Sequence, residues 1–260
     1  MLKIGVSGLG RTGLEIARFL LNQPDIKLVC GFCSPNSSKR GRDLGELLGL
    51  SQLNIPIIHP QEIELLEEKP QVVIDFSPHE AALENAPLFY EHKINLVMAS
   101  TGFHDLELKK LKNITLKYNR GIVIAPNITK GVNVLMLLSQ IAADILNSYD
   151  IEIFEQHHNK KVDIPSGTAI KLANSLPREA QVHAVRAGGI IGVHKTMLVG
   201  QYDKIEISHE SFSRTAFAEG ALTAAKFIHN KSGIFEMNHV LDLNNILSKY
   251  LIEVSDSTAV

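Results

Sequence analysis

Apolar and polar positions follow two different rhythms along this chain, and the change falls near residue 130. Before it, short continuous apolar runs alternate with longer stretches whose apolar residues recur every three or four positions. The runs at 3–7, 27–33, 71–76, 94–98 and 121–124 read as buried strands, and the stretches at 14–21, 80–92 and 105–118 read as helices. Strands alternating with helices imply a parallel, doubly wound sheet, because parallel neighbours need a crossover connection. A longer amphipathic helix over 132–147 leaves this unit. Beyond residue 150 the pattern turns to strands at 150–155, 181–186, 195–199 and 204–209, which suggest a mainly antiparallel sheet. The expected fold is therefore α/β, with a second, smaller α+β unit.

The first strand runs into Gly8-Leu9-Gly10-Arg11-Thr12-Gly13 and then into an apolar-periodic helix. Strand, GxGxxG and helix in this order form the context of a Rossmann-like dinucleotide turn. Gly8 allows the tight turn, Gly10 lets the backbone approach a pyrophosphate, and Gly13 lets helix pack on strand. An acid for the ribose hydroxyls is missing at the end of the second strand. Ser34, Asn36, Ser37, Ser38, Lys39 and Arg40 stand there instead, a cluster that suits a 2′-phosphate. NADPH is therefore expected to be preferred, with NADH as the alternative. Ligands bind open parallel sheets beyond the C-terminal strand ends. Three loops leave those ends: Phe76-Ser77-Pro78-His79, Ala99-Ser100-Thr101-Gly102 and Ala125-Pro126-Asn127-Ile128.

The densest chemistry lies at 155–169, where two histidines, two lysines and a Ser-Gly-Thr turn follow the strand at 150–155. Imidazole titrates near neutral pH, so His157 or His158 suits proton transfer. Lys161 offers a cation that neutralises a carboxylate or donates a proton. Ser166 sits where a helix N-cap belongs, leaving the Gly167 and Thr168 amides as an anion site. Zinc is not expected, since adjacent histidines do not share a helical face and no third ligand has suitable spacing. Arg214, at the start of a later helix, suits a second substrate carboxylate.

Composition narrows the setting. The chain has 260 residues, 45% hydrophobic, and a net charge of −2. That is enough for one large or two modest domains, and it argues against a nucleic-acid partner. The N-terminus is a poor signal peptide and no run stays apolar for about 18 residues, so a cytoplasmic protein without a membrane span is expected. Cys30 and Cys33 form a Cys-x-x-Cys run. They fall on the second strand, where residues three apart face opposite ways, so a redox pair is not expected.

The run His157-His158-Asn159-Lys160-Lys161-Val162-Asp163-Ile164-Pro165-Ser166-Gly167-Thr168-Ala169 resembles the signature of the dihydrodipicolinate (4-hydroxy-tetrahydrodipicolinate) reductase family. The resemblance extends along the chain: Gly10-Arg11-Thr12-Gly13 to the family's glycine loop, Arg186 to His194 to its R-x-G-x-x-x-G-x-H stretch, and Ser213 to Ala221 to its SR-x-x-FA-x-GA run. Departures are Ser7 at the first glycine position, Ala99 for a glycine, Ile128-Thr129 for Phe-Ser, and Gly189 and Val193. The resemblance implies NAD(P)H-dependent reduction of a cyclic imine dicarboxylate in lysine and diaminopimelate biosynthesis. The alternatives are another imino-acid reductase on the same fold, or a non-catalytic nucleotide-sensing module.

Carried over, His157 is the acid/base and Lys161 the proton donor, while His158, Ser166, Gly167, Thr168 and Arg214 hold substrate. Ser7 to Gly13, Ser34, Lys39, Phe76, Ala99, Ser100, Thr101 and Ala125 to Ile128 hold the cofactor, and no metal takes part. The resemblance also implies a homotetramer, a dinucleotide domain at 1–129 completed by 215–260, and a substrate and oligomerisation domain at 130–214.

Overall fold

The computed structural model describes residues 1–255. Its first half is β1 (Leu2–Ser7), α1 (Arg11–Leu21), β2 (Ile26–Phe32), α2 (Leu44–Leu47), β3 (Ile57–Ile58), β4 (Val72–Asp75), α3 (His79–Glu91), β5 (Asn95–Met98), α4 (Asp105–Lys117) and β6 (Gly121–Ile124). Then come α5 (Lys130–Ile145), β7 (Asp150–His157), α6 (Gly167–Ser175), β8 (Gln181–Arg186), β9 (Val193–Val199), β10 (Lys204–Glu210), α7 (Thr215–Ile228), β11 (Gly233–Phe235), α8 (Met237–Val240) and α9 (Leu243–Ser255).

Seven strands form one parallel sheet in the order β11-β6-β5-β4-β1-β2-β3. Its central strands are buried on both faces: Val72 to Asp75 and Asn95 to Met98 lie wholly in the interior. That two-sided burial is why these strands read as unbroken apolar runs. One face carries α1 and α7 over Ile4, Val6, Ile74 and Val97, and the other carries α3 and α4 over Val73, Leu96, Met98 and Ile122.

Four strands form a second sheet, β10-β9-β7-β8, antiparallel except for the β7–β8 pair. That pair is parallel because α6 lies between its strands as a crossover. Helices α5 and α6 cover one face with Val132, Leu135, Leu172 and Ala169 against Ile151, Ile153 and Leu198. β11 joins the first sheet beside β6, so the chain returns to that sheet after building the second. Helix α7 makes the return tight: a Cβ on Gly220 would sit 1.9 Å from the Ile128 carbonyl oxygen.

Three differences from the sequence reading bear on the site. Helix α1 begins at Arg11, so the glycine turn runs directly into its first turn. β7 continues to His157, two residues past the expected end. The short elements α2, β3, β11 and α8 carry too few residues to show a period. Cys30 is buried on β2, Cys33 lies just past its end, and both thiols are free.

Candidate active site

Alternation along β7 places Glu155 and His157 on one face, both buried. His157 Nδ1–H donates to Glu155 Oε2 at 2.5 Å. The Glu155 carboxylate is wholly buried and takes the Arg186 guanidinium in a two-bond fork at 2.7 and 2.8 Å. Register explains the fork, because Arg186 stands beside His157 in the parallel β7–β8 pair. The Ser166 amide donates to the same carboxylate at 3.0 Å. Burial alone would raise the Glu155 pKa, but Arg186, His157 and this amide outweigh it and hold the group below the usual range.

Burial pushes the His157 pKa down, and the Glu155 contact only partly offsets that. The ring is therefore neutral near pH 7, with its proton on Nδ1 by virtue of the Glu155 contact. Nε2 is left as an acceptor against the backbone of Gly192, where an added Cβ would lie 3.2 Å from it. His194 packs edge-on to His157 with ring centroids 5.1 Å apart. Burial and the neighbouring His157 lower the His194 pKa to about 3, so it too is neutral.

His157 opens onto a cleft of 650 Å³ between the two sheets. His158, Lys161, Gly167, Thr168 and Arg214 line it from one side; Arg11, Thr12, Thr101, Pro126, Asn127 and Ile128 line it from the other. The candidate catalytic and cofactor loops, far apart in sequence, thus face one space. Thr168 Oγ1 donates to Asn127 Oδ1 at 2.6 Å and ties α6 to the loop after β6. His158 Nδ1 and Asn127 Nδ2 are buried polar atoms without a protein partner. Lys161 Nζ lies 2.7 Å from Asp163 Oδ1, and Arg214 makes no ion pair among the described residues.

Ser166 is the helix N-cap that the sequence reading expected. It is 1% exposed and lies behind the cleft wall, where its hydroxyl accepts from the Ala169 amide and meets His194 Nε2 at 3.3 Å. It caps α6, and its amide helps to fix the Glu155 carboxylate.

The glycine turn takes the shape its sequence requires. Gly8 has φ +80°, and a Cβ there would lie 2.4 Å from the backbone of Phe76 and Ser77. A Cβ on Gly13 would lie 2.1 Å from the Gly8 carbonyl, whereas none would meet anything within 4 Å on Gly10. Gly10 therefore presents open backbone at the N-terminus of α1, which has no side-chain cap. The first amides of α1 form an anion cradle there. The Leu9 side chain is buried in the core, but its carbonyl accepts from Lys39 Nζ at 2.5 Å. Ser34 is exposed on the same β2–α2 connection, while Arg40 is bound to Glu62 by a two-bond fork. Ser7, Phe76, Ala99, Ser100 and Ala125 sit at or just past the C-terminal ends of β1, β4, β5 and β6.

Two family models match the chain: dihydrodipicolinate reductase, N-terminus, over residues 2–128, and dihydrodipicolinate reductase, C-terminus, over residues 131–241. The chain belongs to the dihydrodipicolinate reductase family. Curated relatives include the 4-hydroxy-tetrahydrodipicolinate reductase of Methanocaldococcus jannaschii, 34% identical over 95% of this chain and 99% of that one. That of Methanopyrus kandleri is 38% identical over 89% of this chain and 93% of that one. Among solved structures, the dipicolinate-bound dihydrodipicolinate reductase of Paenisporosarcina sp. TG-14 has a TM-score of 0.74 at 22% identity, over 91% of this chain and 97% of that one. The fold also resembles an amine dehydrogenase of Mycobacterium smegmatis, with TM-score 0.69 at 12% identity, over 91% of this chain and 95% of that one.

In this member of the dihydrodipicolinate reductase family, the sequence reading assigned no role to Glu155, Arg186 or Asp75. Glu155 was within reach, since i and i+2 on a strand share a face. Arg186 was not, because its register against β7 depends on the fold. Asp75 ends β4 with no exposed surface and accepts from the Ser77 amide at 2.7 Å, fixing the turn against which Gly8 packs. Burial pushes its pKa up, and hydrogen bonds from Ser77 oppose the shift.

Proposed function

We propose that this chain reduces 4-hydroxy-tetrahydrodipicolinate, with loss of water, to tetrahydrodipicolinate for lysine and diaminopimelate biosynthesis. One observation carries the reading. His157, Lys161, the α6 amides and Arg214 share a single cleft with the glycine turn of a dinucleotide fold. The open backbone at Gly10 and the free α1 amides fit a pyrophosphate, so a nicotinamide dinucleotide has its cradle at Ser7 to Gly13. When bound, the nicotinamide supplies the hydride, to ring C4 in this reading.

The remaining work falls to side chains. The reaction consumes one hydride and one proton and releases water. Lys161 delivers the proton. His157 is neutral with Nε2 unprotonated, so it takes the ring C3 proton as the 4-hydroxyl leaves as water with a proton from Lys161. Glu155 stabilises the imidazolium, which returns its proton to C3 once hydride has reached C4, leaving a net uptake of one hydride and one proton. The Gly167 and Thr168 amides, His158 and Arg214 receive the two carboxylates. Asn127 positions Thr168.

NADPH is the proposed preferred cofactor, with Lys39 and Ser34 beside the ribose. Residues 1–129 with 215–260, of which 256–260 lie outside the described residues, are the proposed dinucleotide domain and 130–214 the proposed substrate domain, a division supported by the return of β11 to the first sheet. A homotetramer is proposed through the face of the second sheet opposite α5 and α6. Phe154, Val185, Val193 and Met197 lie there, half-buried or exposed, among Glu152, His183, Lys195 and Glu206. The proposed compartment is the cytoplasm, where free Cys30 and Cys33 remain reduced. The test is NAD(P)H oxidation followed at 340 nm on adding the fresh product of the preceding synthase reaction. Turnover with that product but not with other cyclic imines supports the reading. Turnover only with other imines, or none at all, rejects it.

A further inference from the structure

The charged lining of the cleft is lopsided. Arg11, Lys160, Lys161, Lys171 and Arg214 face it, and Asp163 is the one carboxylate among the described lining residues. Asp163 holds two groups that the proposed function gives to substrate and chemistry. Its Oδ1 lies 2.7 Å from Lys161 Nζ, and its Oδ2 accepts from the Gly167 amide at 3.4 Å. A carboxylate thus already lies between the ammonium and the N-terminus of α6.

Two further features set this contact apart from a structural ion pair. Its side chains are 26% and 53% exposed, and pairs of that exposure contribute little to stability. The backbone is pinned separately, since the Asp163 carbonyl accepts from Arg186 at 2.6 Å. The Asp163 side chain can therefore rotate about its own bonds toward solvent while residues 161–167 stay in place. Burial would raise the Asp163 pKa, but Lys161 outweighs it, so the group is anionic at neutral pH.

We propose that Asp163 is an internal stand-in for a substrate carboxylate, and so a gate on Lys161. Before substrate binds, it occupies the ammonium and the α6 amide. A seated dicarboxylate displaces it and frees Lys161 for proton transfer. The gate rests on the proposed reductase reading, because it assigns a specific occupant to that reading's substrate site. Asp163 is a positioning residue, acting through Lys161.

The experiment is calorimetric titration of pyridine-2,6-dicarboxylate, with NADPH present, into the parent, Asp163→Asn and Asp163→Ala. Melting temperatures establish that each variant is folded. Removing the competing charge should tighten dicarboxylate binding about fivefold in both variants, the scale of a half-exposed charge contact. Substrate KM should fall in parallel, with kcat changed by less than about threefold. A parent that binds the dicarboxylate while both variants bind it no tighter overturns the gate and leaves the reductase reading standing. So does a tenfold or greater loss of kcat at unchanged affinity, which would place Asp163 in the chemical step. A parent that binds no dicarboxylate overturns the dicarboxylate site, and the gate with it.

Discussion

His157 Nδ1–H donates to Glu155 Oε2 across one pleat of β7, and Arg186 grips the same carboxylate from β8. The three residues form a chain from the sheet interior to the cleft. Its outer end, Nε2 of His157, acquires a defined role only because its inner end is a buried anion. In Glu155→Gln the amide has no full charge for Arg186 and no fixed preference for the Nδ1–H tautomer. Removing one partner of a buried pair costs roughly 3–5 kcal/mol, so urea denaturation should show a loss on that scale. Glu155 raises the His157 pKa, so the variant should also move the acid limb of its pH–rate profile to lower pH. An acid limb that stays in place would show that His157 is not the titrating base.

Lys161→Ala and His157→Ala should each lower turnover at least about 100-fold, the usual reach of a positioned acid or base. Lys161 is half-buried at the cleft wall and the one ion pair of its side chain among the described residues is with Asp163, so Lys161→Ala should leave the melting temperature nearly unchanged. Near-parental turnover in both variants would remove the assignment.

The proposed dicarboxylate site depends on Arg214 for one of its carboxylate contacts. Arg214 precedes α7, lines the cleft and makes no ion pair among the described residues. Its charge is therefore available to a ligand. Arg214→Ala should weaken pyridine-2,6-dicarboxylate binding about tenfold or more, as loss of a charge-assisted contact implies. Titration with cofactor present measures this, and equal affinity in parent and variant would place Arg214 outside the site.

How far the sequence reads differs between the two units. The buried strands of the first sheet are legible because both faces are covered, so each appears as an apolar run ending in a loop. Gly8 to Gly13 are legible because each glycine answers a steric demand. The run from His157 to Ala169 is legible as a site because its polar groups are too dense for a solvated turn. What the sequence hides depends on register. Arg186 meets Glu155 only through the β7–β8 pairing, and Ser166 turns inward because the Glu155 carboxylate draws its amide. Arg40 and Glu62 find each other across 21 intervening residues, so no local pattern marks Arg40 as already paired.

Buried histidines make stability depend on pH. His157, His194 and His209 all have folded-state pKa values below the ordinary value near 6.5, with burial as the leading cause. The unfolded chain therefore binds protons more readily in this window. Stability is full above about pH 6.5 and falls as pH drops toward the folded-state values. For His194, lowered to about 3, the linkage amounts to about 2 kcal/mol by pH 5. His194→Gln should flatten the decline between pH 6.5 and 5. Chemical denaturation at several pH values in that window measures it, and parallel curves for parent and variant would show that His194 is not the group responsible.

The proposed cofactor preference turns on Lys39. The end of β2 carries Cys33 and Ser34 where an acid would bind the ribose hydroxyls and repel a 2′-phosphate. Of the cations that follow, Arg40 is committed to Glu62, whereas Lys39 reaches back to the Leu9 carbonyl inside the glycine turn. Lys39 is thus beside the glycine turn, and the one hydrogen bond of its ammonium among the described residues is to a neutral carbonyl that a phosphate can outcompete. A charge-assisted bond is worth roughly 1.5–3 kcal/mol, about ten- to a hundredfold in affinity if it survives solvent. The expected order is NADPH over NADH. Lys39→Glu together with Arg40→Ala should shift preference toward NADH, and Lys39→Glu alone should produce most of the shift. The measurement is kcat/KM for each cofactor in the parent and both variants. A parent that prefers NADH would place the 2′ position away from this loop, and Arg40→Ala acting as strongly as Lys39→Glu would mean that the Glu62 pair opens when cofactor binds.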